Sequence, residues 1–473
     1  MIVRRLFPCL MLSLLSVQIQ AAEVKIAEPA TAKPPATSVS AKTYTADLLS
    51  LYRESRLEDP RVLASYARNL ASQAHADEAF GSLLPQITAQ AGGNRIKQTN
   101  ELQDQVYNSE NYSISLSQAL YNKAAWENYQ KYKKTISQTE SESTEAQAEA
   151  ALDLAQRYFA ALAADDELEL TEAELRTNQG SLDRVNALYA KQLAMITDVL
   201  DLRARVDTLA AQAVDDRNQV RVSRAALSEI VGRPVTEKLS RIRTDAQFKV
   251  SDQSLDTWVQ NALQENPTLK ANIAAVDVAE AGVRGGKAGH YPTLALQLSA
   301  QNTNEGYNNA LAPKTDSYVA GLVLQVPIYS GGSTSARVRG LVQDQISAEQ
   351  QLEATRRQVV KETTNAYLTA DSNVEKMRAN VNALNSATQA SIASQKSFAY
   401  GVVNAVDVLN ATQAEFKARR DLLKTQYDFI TNLFVLNRWA GKVSTESVES
   451  VNAWLSNNST TDPVPVPDRK SKQ

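Results

Sequence analysis

Cysteine is almost absent from this chain of 473 residues, and its one cysteine, Cys9, lies near the N-terminus. Residues 1–22 combine two arginines with the apolar run Leu6–Val17, which is the pattern of an export signal, and we expect cleavage near Ala22. No small residue stands directly before Cys9, as a lipoprotein signal would need. The mature chain is therefore expected to have no disulfide, no thiolate metal site and no lipid anchor.

Histidine is scarce as well: His75 and His290 are the only two, and neither has a companion at metal-ligand spacing. No nucleophile elbow occurs, and the segment Gly285–His290 lacks the Gly-Lys-Ser/Thr order of a phosphate-binding loop. The sequence therefore predicts no metal site, no cofactor and no enzymatic activity.

Aromatic residues make up only 6% of the chain, which is too little for several compact cores. Glycine and proline are also few, while alanine, glutamine, asparagine, serine and threonine are abundant. This composition favours long helices that touch through small residues. The formal net charge is −3 and the basic residues are scattered, so the chain has no basic surface for nucleic acid.

Long apolar runs are missing beyond the signal, so the sequence offers no transmembrane helix. Any membrane crossing would have to use β-strands. Residues 23–43 are rich in alanine, proline, threonine and lysine, and we expect a disordered linker there. We place a C-terminal tail at residues 446–473, whose last part, from Pro463, is rich in proline and charge.

What the chain does contain is an internal repeat. Two halves match in order at a nearly constant offset: Pro60 aligns with Pro267, 207 residues on, and Tyr158 with Tyr367, 209 residues on. Further matched pairs are Pro85 with Pro292, Tyr121 with Tyr329, Asp198 with Asp407, and Gly232 with Gly441. We interpret the run of ordered pairs as a duplication, with repeat 1 at residues 44–250 and repeat 2 at residues 251–445.

Each repeat has the same predicted order: a helix, two strands and a long helical hairpin. Alternation of apolar and polar residues predicts strands at about 85–93 and 111–120, and again at about 292–301 and 317–327. Polar loops are expected between the paired strands, at Asn94–Glu110 and Asn302–Asp316.

The helical hairpins are predicted at about 123–231 and 335–441, and their first helices lack internal proline. At 1.5 Å per residue, each first helix would be about 100 Å long. Apolar residues recur at seven-residue spacing, as at Val360, Tyr367, Val374 and Val381. The sequence therefore predicts a mostly α-helical fold of coiled hairpins, to which four strands are added.

Four membrane strands cannot close a barrel alone, because a bilayer permits no open sheet edge. The strand number therefore requires an oligomer, although it does not decide between two and three subunits.

Several motifs resemble those of the TolC family of outer-membrane efflux and secretion channels, and the likeness covers nearly the whole mature chain. They are SLLPQI at residues 82–87, VPIYSGG at Val326–Gly332, and the Asp-Val-Leu helix starts at Asp198 and Asp407. The resemblance implies a homotrimer with a twelve-stranded barrel in a Gram-negative outer membrane, in contact with its lipid, and a helical tunnel through the periplasm. It also implies two partners, a periplasmic adaptor and an inner-membrane pump of the ABC, RND or MFS type, and a cargo of secreted proteins or small toxic compounds.

The same resemblance implies that side chains at the periplasmic end close the tunnel. The matching aperture positions here are Thr197, Asp198, Phe398, Val403, Asp407 and Asn410. Adaptor docking is expected at the hairpin tips, at Gln192, Leu193, Gly401 and Val402.

Three aperture positions depart from the family pattern. Where the best-known member has a tyrosine and an arginine linked to the first hairpin's aspartate, this chain has Phe398 and Val403, which cannot form those polar links. Where it has a second aspartate one turn after the first, this chain has Asn410. We therefore expect different contacts to close the tunnel, and a single acidic ring at Asp407. We also expect weaker cation selectivity and weaker block by cations.

Other interpretations remain open at this point. Asp198 and Asp407 each begin a helix, where a carboxylate has a purely structural use as a cap. The alternative is a periplasmic coiled-coil scaffold or adaptor that never enters a membrane, although the strand pairs count against it. A channel for metal ions is disfavoured by the lack of histidine, cysteine and methionine clusters.

Overall fold

The computed structural model describes residues 45–99, 104–243, 246, 248–249, 253–305 and 314–455. The helices are α1 (Leu48–Glu58), α2 (Pro60–Gly81), α3 (Lys123–Ala190), α4 (Ile196–Val231), α5 (Leu255–Glu265), α6 (Pro267–Ala288), α7 (Ser333–Ala399), α8 (Ala405–Trp439) and α9 (Thr445–Asn452). The strands are β1 (Thr45–Ala46), β2 (Gln86–Thr99), β3 (Asp104–Asn122), β4 (Lys238–Leu239), β5 (Thr293–Glu305) and β6 (Thr315–Gln325). The predicted signal at 1–22 and the predicted linker at 23–43 lie outside the described residues.

Four long strands form an antiparallel sheet in the order β2-β3-β5-β6. The predicted bounds of the loops Asn94–Glu110 and Asn302–Asp316 are wrong, because strand pairing continues into both segments: Asn94 pairs with Ser109, and Asn302 pairs with Asp316. The ladder uses backbone groups, so polar side chains do not end it.

The two faces of this sheet differ in polarity, because residues that lie opposite one another in paired strands share a face. One row of the apolar face contains Ile87, Leu116, Leu298 and Ala320. One row of the polar face contains Gln90, Ser113, Gln301 and Ser317. The apolar face is uncovered in the single chain, since Tyr318 is 70% exposed and Leu322 is 66% exposed.

The two longest helices run away from the sheet. Asn122 caps the start of α3 by accepting a hydrogen bond from the amide of Ala125 at 3.0 Å. The helix then continues for 68 residues and α7 for 67 residues, so each is about 100 Å long. Each turns once and returns, as α4 and α8. No helix among the described residues is both long and apolar enough to span a membrane.

A central belt of buried side chains joins the helices about halfway along α3. Tyr158, Phe159, Phe429 and Ile430 are at most 1% exposed in this cluster, which also includes residues of α1, α4, α9 and β4. The hydroxyl of Tyr158 donates a hydrogen bond to the carbonyl of Ser240 at 2.9 Å, which fixes the segment after β4 on α3. We call this cluster the belt.

The predicted C-terminal tail at 446–473 is wrong in its first part. Residues 445–452 form α9, Val448 and Val451 are buried in the belt, and Leu455 forms a β-bridge with Ile242. Apolar residues spaced for one helix face explain why this segment packs. Residues from 456 onward lie outside the described part of the chain.

Candidate functional site at the hairpin tips

The two helical hairpins end in turns of the same backbone geometry. After α3, Gln192 adopts a left-handed conformation with φ of 62°, and the amide of Leu193 donates to the carbonyl of Leu188 at 2.9 Å. After α7, Gly401 has φ of 73°, and the amide of Val402 donates to the carbonyl of Ser397 at 3.0 Å. Both turns are therefore closed by the same six-to-one hydrogen bond.

The turns differ in side chain rather than in backbone. Glycine adopts positive φ without strain, whereas a residue with a Cβ is disfavoured there by about 1–2 kcal/mol. The first turn therefore bears a strained glutamine at the position where the second has an unstrained glycine. Gln192 and Gly401 occupy matching positions in the two repeats, so the sequence predicts different surfaces at the two tips. In the structure the backbone is alike at this position, and the difference is the Gln192 side chain.

Both aspartates at the helix starts act as caps. Asp198 accepts a hydrogen bond from the amide of Met195 at 3.3 Å, and Asp407 accepts one from the amide of Asn404 at 3.2 Å. In the second hairpin the cap is reciprocal, because Asn404 Oδ1 accepts from the amide of Asp407 at 2.8 Å. Both aspartates therefore have a structural role as helix caps, and each uses one carboxylate oxygen for it.

Phe398 connects the second hairpin to the first through apolar contacts. Its half-buried ring packs against a cluster to which α3 contributes Leu182 and Val185 and α4 contributes Val199 and Leu202. We call this the tip cluster. The chain thus has an apolar contact at a position where the family resemblance implies a polar link.

The other five aperture residues differ in their exposure to solvent. Thr197, Asp407 and Asn410 are exposed, whereas Asp198 and Val403 are half-buried. Among the described residues, no hydrogen bond or ion pair joins the aperture side chains of one hairpin to those of the other. The structure therefore brings Phe398 alone of the six onto the opposite hairpin's apolar cluster.

The turns present an apolar surface beyond the residues predicted from sequence. Leu193 is 71% exposed and Val402 is 76% exposed, and both were expected at the tips. Met195 and Tyr400 are also exposed beside them, and sequence reasoning missed both. Their signal was position, since each lies beside a turn between two helices, and clustered exposed apolar residues are typical of contact surfaces.

Farther from the tips, α3 and α8 are joined by a ladder of polar links that sequence reasoning also missed. Its first rung is Arg438 Nε to Glu145 at 2.9 Å. The next is the Tyr427 hydroxyl, which donates to Asp166. Burial raises the pKa of Asp166 above its ordinary 3.8, although nearby Arg241 opposes that shift. The last rung is formed by Arg420, which donates to Glu167 at 2.5 Å and to Glu174 at 2.9 Å.

The histidines do not form a site. His75 lies on α2 with Nδ1 3.3 Å from Glu78 Oε2, and His290 lies in the short connection between α6 and β5. Within the described ranges, no cluster of histidine, cysteine, aspartate or glutamate has a geometry that could hold a metal ion.

Comparison with known proteins identifies the architecture. The model of the family described as outer membrane efflux protein matches residues 51–233 and 258–442. The chain is 29% identical to the outer membrane protein TolC of Vibrio cholerae over 88% of this chain and 96% of that protein. It is 27% identical to the alkaline protease secretion protein AprF of Pseudomonas aeruginosa over 87% of each.

A solved structure shows the same fold. The transmembrane channel protein CusC superposes with a TM-score of 0.76, covering 86% of this chain and 95% of that one, at 16% sequence identity. Because the identity is so low, this likeness bears on the fold alone.

Proposed function

The chain belongs to the outer membrane efflux protein family, and from this premise we propose that it is one subunit of a trimeric export channel in a Gram-negative outer membrane. The resemblance of its sequence to the TolC family is confirmed. The proposed channel is a passive conduit and performs no chemistry. Its working parts are the sheet, the long hairpins and their tips.

The observation that carries this proposal is the four-stranded sheet with one apolar and one polar face. Within the described residues, β2 and β6 each pair on one side only. Unpaired edges and an uncovered apolar face are unfavourable in isolation. Three copies of four strands would close a barrel of twelve, with the apolar face toward lipid and the polar face toward the lumen.

The hairpins would form the periplasmic tunnel of this trimer. The order of two helices, two strands and a helical hairpin occurs twice along the chain. This order supports our proposal that residues 44–250 and 251–445 are duplicated units. Each subunit would then contribute two equivalent hairpins to the tunnel wall.

We place the gate at the tips, where Thr197, Asp198, Phe398, Val403, Asp407 and Asn410 lie. Phe398 would hold the second hairpin inward by apolar contact with the tip cluster. Asp407 is exposed and would form one acidic ring, while Asn410 adds no charge. A single ring predicts weaker cation selectivity than two would give.

The tips would also dock the partners. A periplasmic adaptor would contact Gln192, Leu193, Gly401 and Val402, together with the exposed Met195 and Tyr400. An inner-membrane pump of the ABC, RND or MFS type would supply the energy. Secreted proteins are one proposed cargo class, because relatives are named for protease secretion, and small toxic compounds are the other.

Membrane fractionation tests this function against the rival scaffold. We expect the full chain to sediment with outer membrane, to require detergent for extraction, and to migrate as a trimer in unheated gels. The purified trimer should conduct ions across a planar bilayer. A chain that stays soluble without detergent and conducts nothing would identify the scaffold instead.

A further inference from the structure

The polar ladder between α3 and α8 stops well before the tips. Its last rung, at Arg420, reaches Glu174, which lies 16 residues or about 24 Å before the end of α3. Beyond that rung, no side-chain hydrogen bond or ion pair in the described part of the chain joins the two hairpins. The tip cluster, to which the second hairpin contributes Phe398, Ala405 and Leu409, joins the hairpins there by apolar contact.

Glu174 is completely buried and has two cationic partners on different hairpins. Arg205, on α4 of the same hairpin, donates to Oε1. Arg420, on α8 of the other hairpin, donates to Oε2 at 2.9 Å. A buried carboxylate without a cationic partner would be strongly destabilising. With two arginines bound, Glu174 keeps one cationic partner when the other leaves.

Arg420 is placed to leave without creating an unpaired buried charge. Its side chain is 25% exposed, and its other partners on α3 are Glu167, which is 41% exposed, and the hydroxyl of Thr171 at 3.2 Å. If α8 moved away from α3, water could solvate Arg420 and Glu167 while Arg205 continued to neutralise Glu174. Both arrangements would then be electrostatically satisfied, as a two-state element requires.

We propose that Arg420 is the latch between the two hairpins, and that the tip opens when Arg420 withdraws from Glu174 while Arg205 stays bound. Glu174 and Arg205 are positioning residues for this movement. The inference rests on the proposed gated channel. It assigns opposite effects to the two arginines: loss of Arg420 favours the open tip, whereas loss of Arg205 favours the closed tip.

Single-channel recording of the purified trimer in planar bilayers tests this assignment. Arg420→Gln should raise the ratio of open to closed time by about tenfold, because the buried pair across the interface is lost. Arg205→Gln should lower this ratio, because the buried Glu174 then depends on Arg420 as its cationic partner. Arg217→Gln is the matched control, since Arg217 pairs with Glu172 at 2.8 Å on the surface within the first hairpin, and it should behave as wild type.

Arg420→Lys serves where Arg420→Gln fails to form trimers. A lysine keeps the charge but loses the guanidinium fork that reaches three partners, so a smaller rise is expected. If Arg420→Gln forms intact trimers with the wild-type ratio of open to closed time, the proposal that Arg420 is the latch is wrong. The same holds for Arg420→Lys where it is used instead. An equal rise in Arg205→Gln would also contradict the proposal.

A distance measurement separates failure of the latch from failure of the channel. Spin labels at Leu193→Cys and Val402→Cys lie on exposed tip positions of the two hairpins. Arg420→Gln should lengthen and broaden the distance distribution between them, and Arg205→Gln should not. If the wild type conducts nothing, the proposed function fails, and these distances still decide whether Arg420 holds the hairpins together.

Discussion

The belt and the tips contain the same four long helices but are stabilised differently. In the belt, large side chains such as Tyr158, Phe159 and Phe429 are completely or almost completely buried, and polar rungs cross between the hairpins. At the tips the buried side chains are fewer, and Leu193, Tyr400 and Val402 are open to solvent. The difference indicates a rigid frame that bears a weakly held end, as the proposed gated conduit would need.

Replacing a belt aromatic should have the largest effect. Phe159→Ala removes a ring that is 1% exposed, and we expect the free energy of unfolding of the helical part to fall by about 3–5 kcal/mol. Chemical denaturation followed by circular dichroism measures this loss.

Phe398→Ala is the matched control at the tips. Its ring is only half-buried, so we expect a loss of about 1–2 kcal/mol together with a rise in channel opening. Equal losses of stability in the two variants would remove the distinction between belt and tips.

The next largest expected effect is the pH dependence of the free energy of unfolding, to which Asp166 contributes. Because burial raises the pKa of Asp166, the folded chain binds this proton at a higher pH than the unfolded chain does. The contribution of Asp166 to stability is therefore greatest at low pH and falls as the pH rises from 3.8 through the raised pKa.

Asp166→Asn should abolish this part of the pH dependence. The measurement is the free energy of unfolding between pH 4 and pH 7, compared between the variant and wild type. If the free energy of unfolding changes with pH in the same way in Asp166→Asn and wild type, the assignment of this pH dependence to Asp166 is wrong. The matched variant at the tips is Asp198→Asn, which changes a half-buried cap outside the belt.

The two turns offer a smaller and more local test. Gly401→Gln places a Cβ at φ of 73° and should destabilise by about 1 kcal/mol, while Gln192→Gly should stabilise by a similar amount. Thermal unfolding of both variants measures these opposite shifts. Shifts of the same sign would show that side-chain contacts, and not backbone strain, distinguish the turns.

The charge of Asp407 should affect stability least. Asp407→Asn weakens a cap on an exposed helix start and should cost only about 0.3–1 kcal/mol. In bilayer recordings it should lower cation selectivity, because the proposed acidic ring is lost. Unchanged selectivity would restrict Asp407 to its capping role. Asn410→Ala, at an uncharged neighbour, provides the control.

Much of this architecture follows from local patterns in the sequence. The first long helix begins at Lys123, where the sequence predicts that the first hairpin begins, and it runs to Ala190 because no proline or glycine cluster interrupts it. Strand lengths were harder to predict, since Asn94 and Asn302 pair through backbone atoms that side-chain polarity does not report.

Contacts between distant segments could not be predicted from one sequence. Arg420 and Glu174 are 246 residues apart, and neither has a local pattern that indicates the other. The row of Val360, Tyr367, Val374 and Val381 was expected to lie in helix contacts. Tyr367 and Val374 do pack against the belt, whereas Val381 is 43% exposed in the single chain. The buried apolar positions on α7 are Val359, Ala366, Ala370 and Met377, which neighbour this row on the helix surface. Seven-residue spacing predicts that a helix has an apolar row, but it does not predict which helix that row contacts.

Amide hydrogen exchange of the purified trimer tests the contrast between belt and tips most directly. We predict slow exchange for the belt segments 150–166 and 427–436, and much faster exchange for 178–200 and 395–415, with the change near Glu174 and Arg420. Equally slow exchange along both hairpins would contradict a weakly held end on a rigid frame.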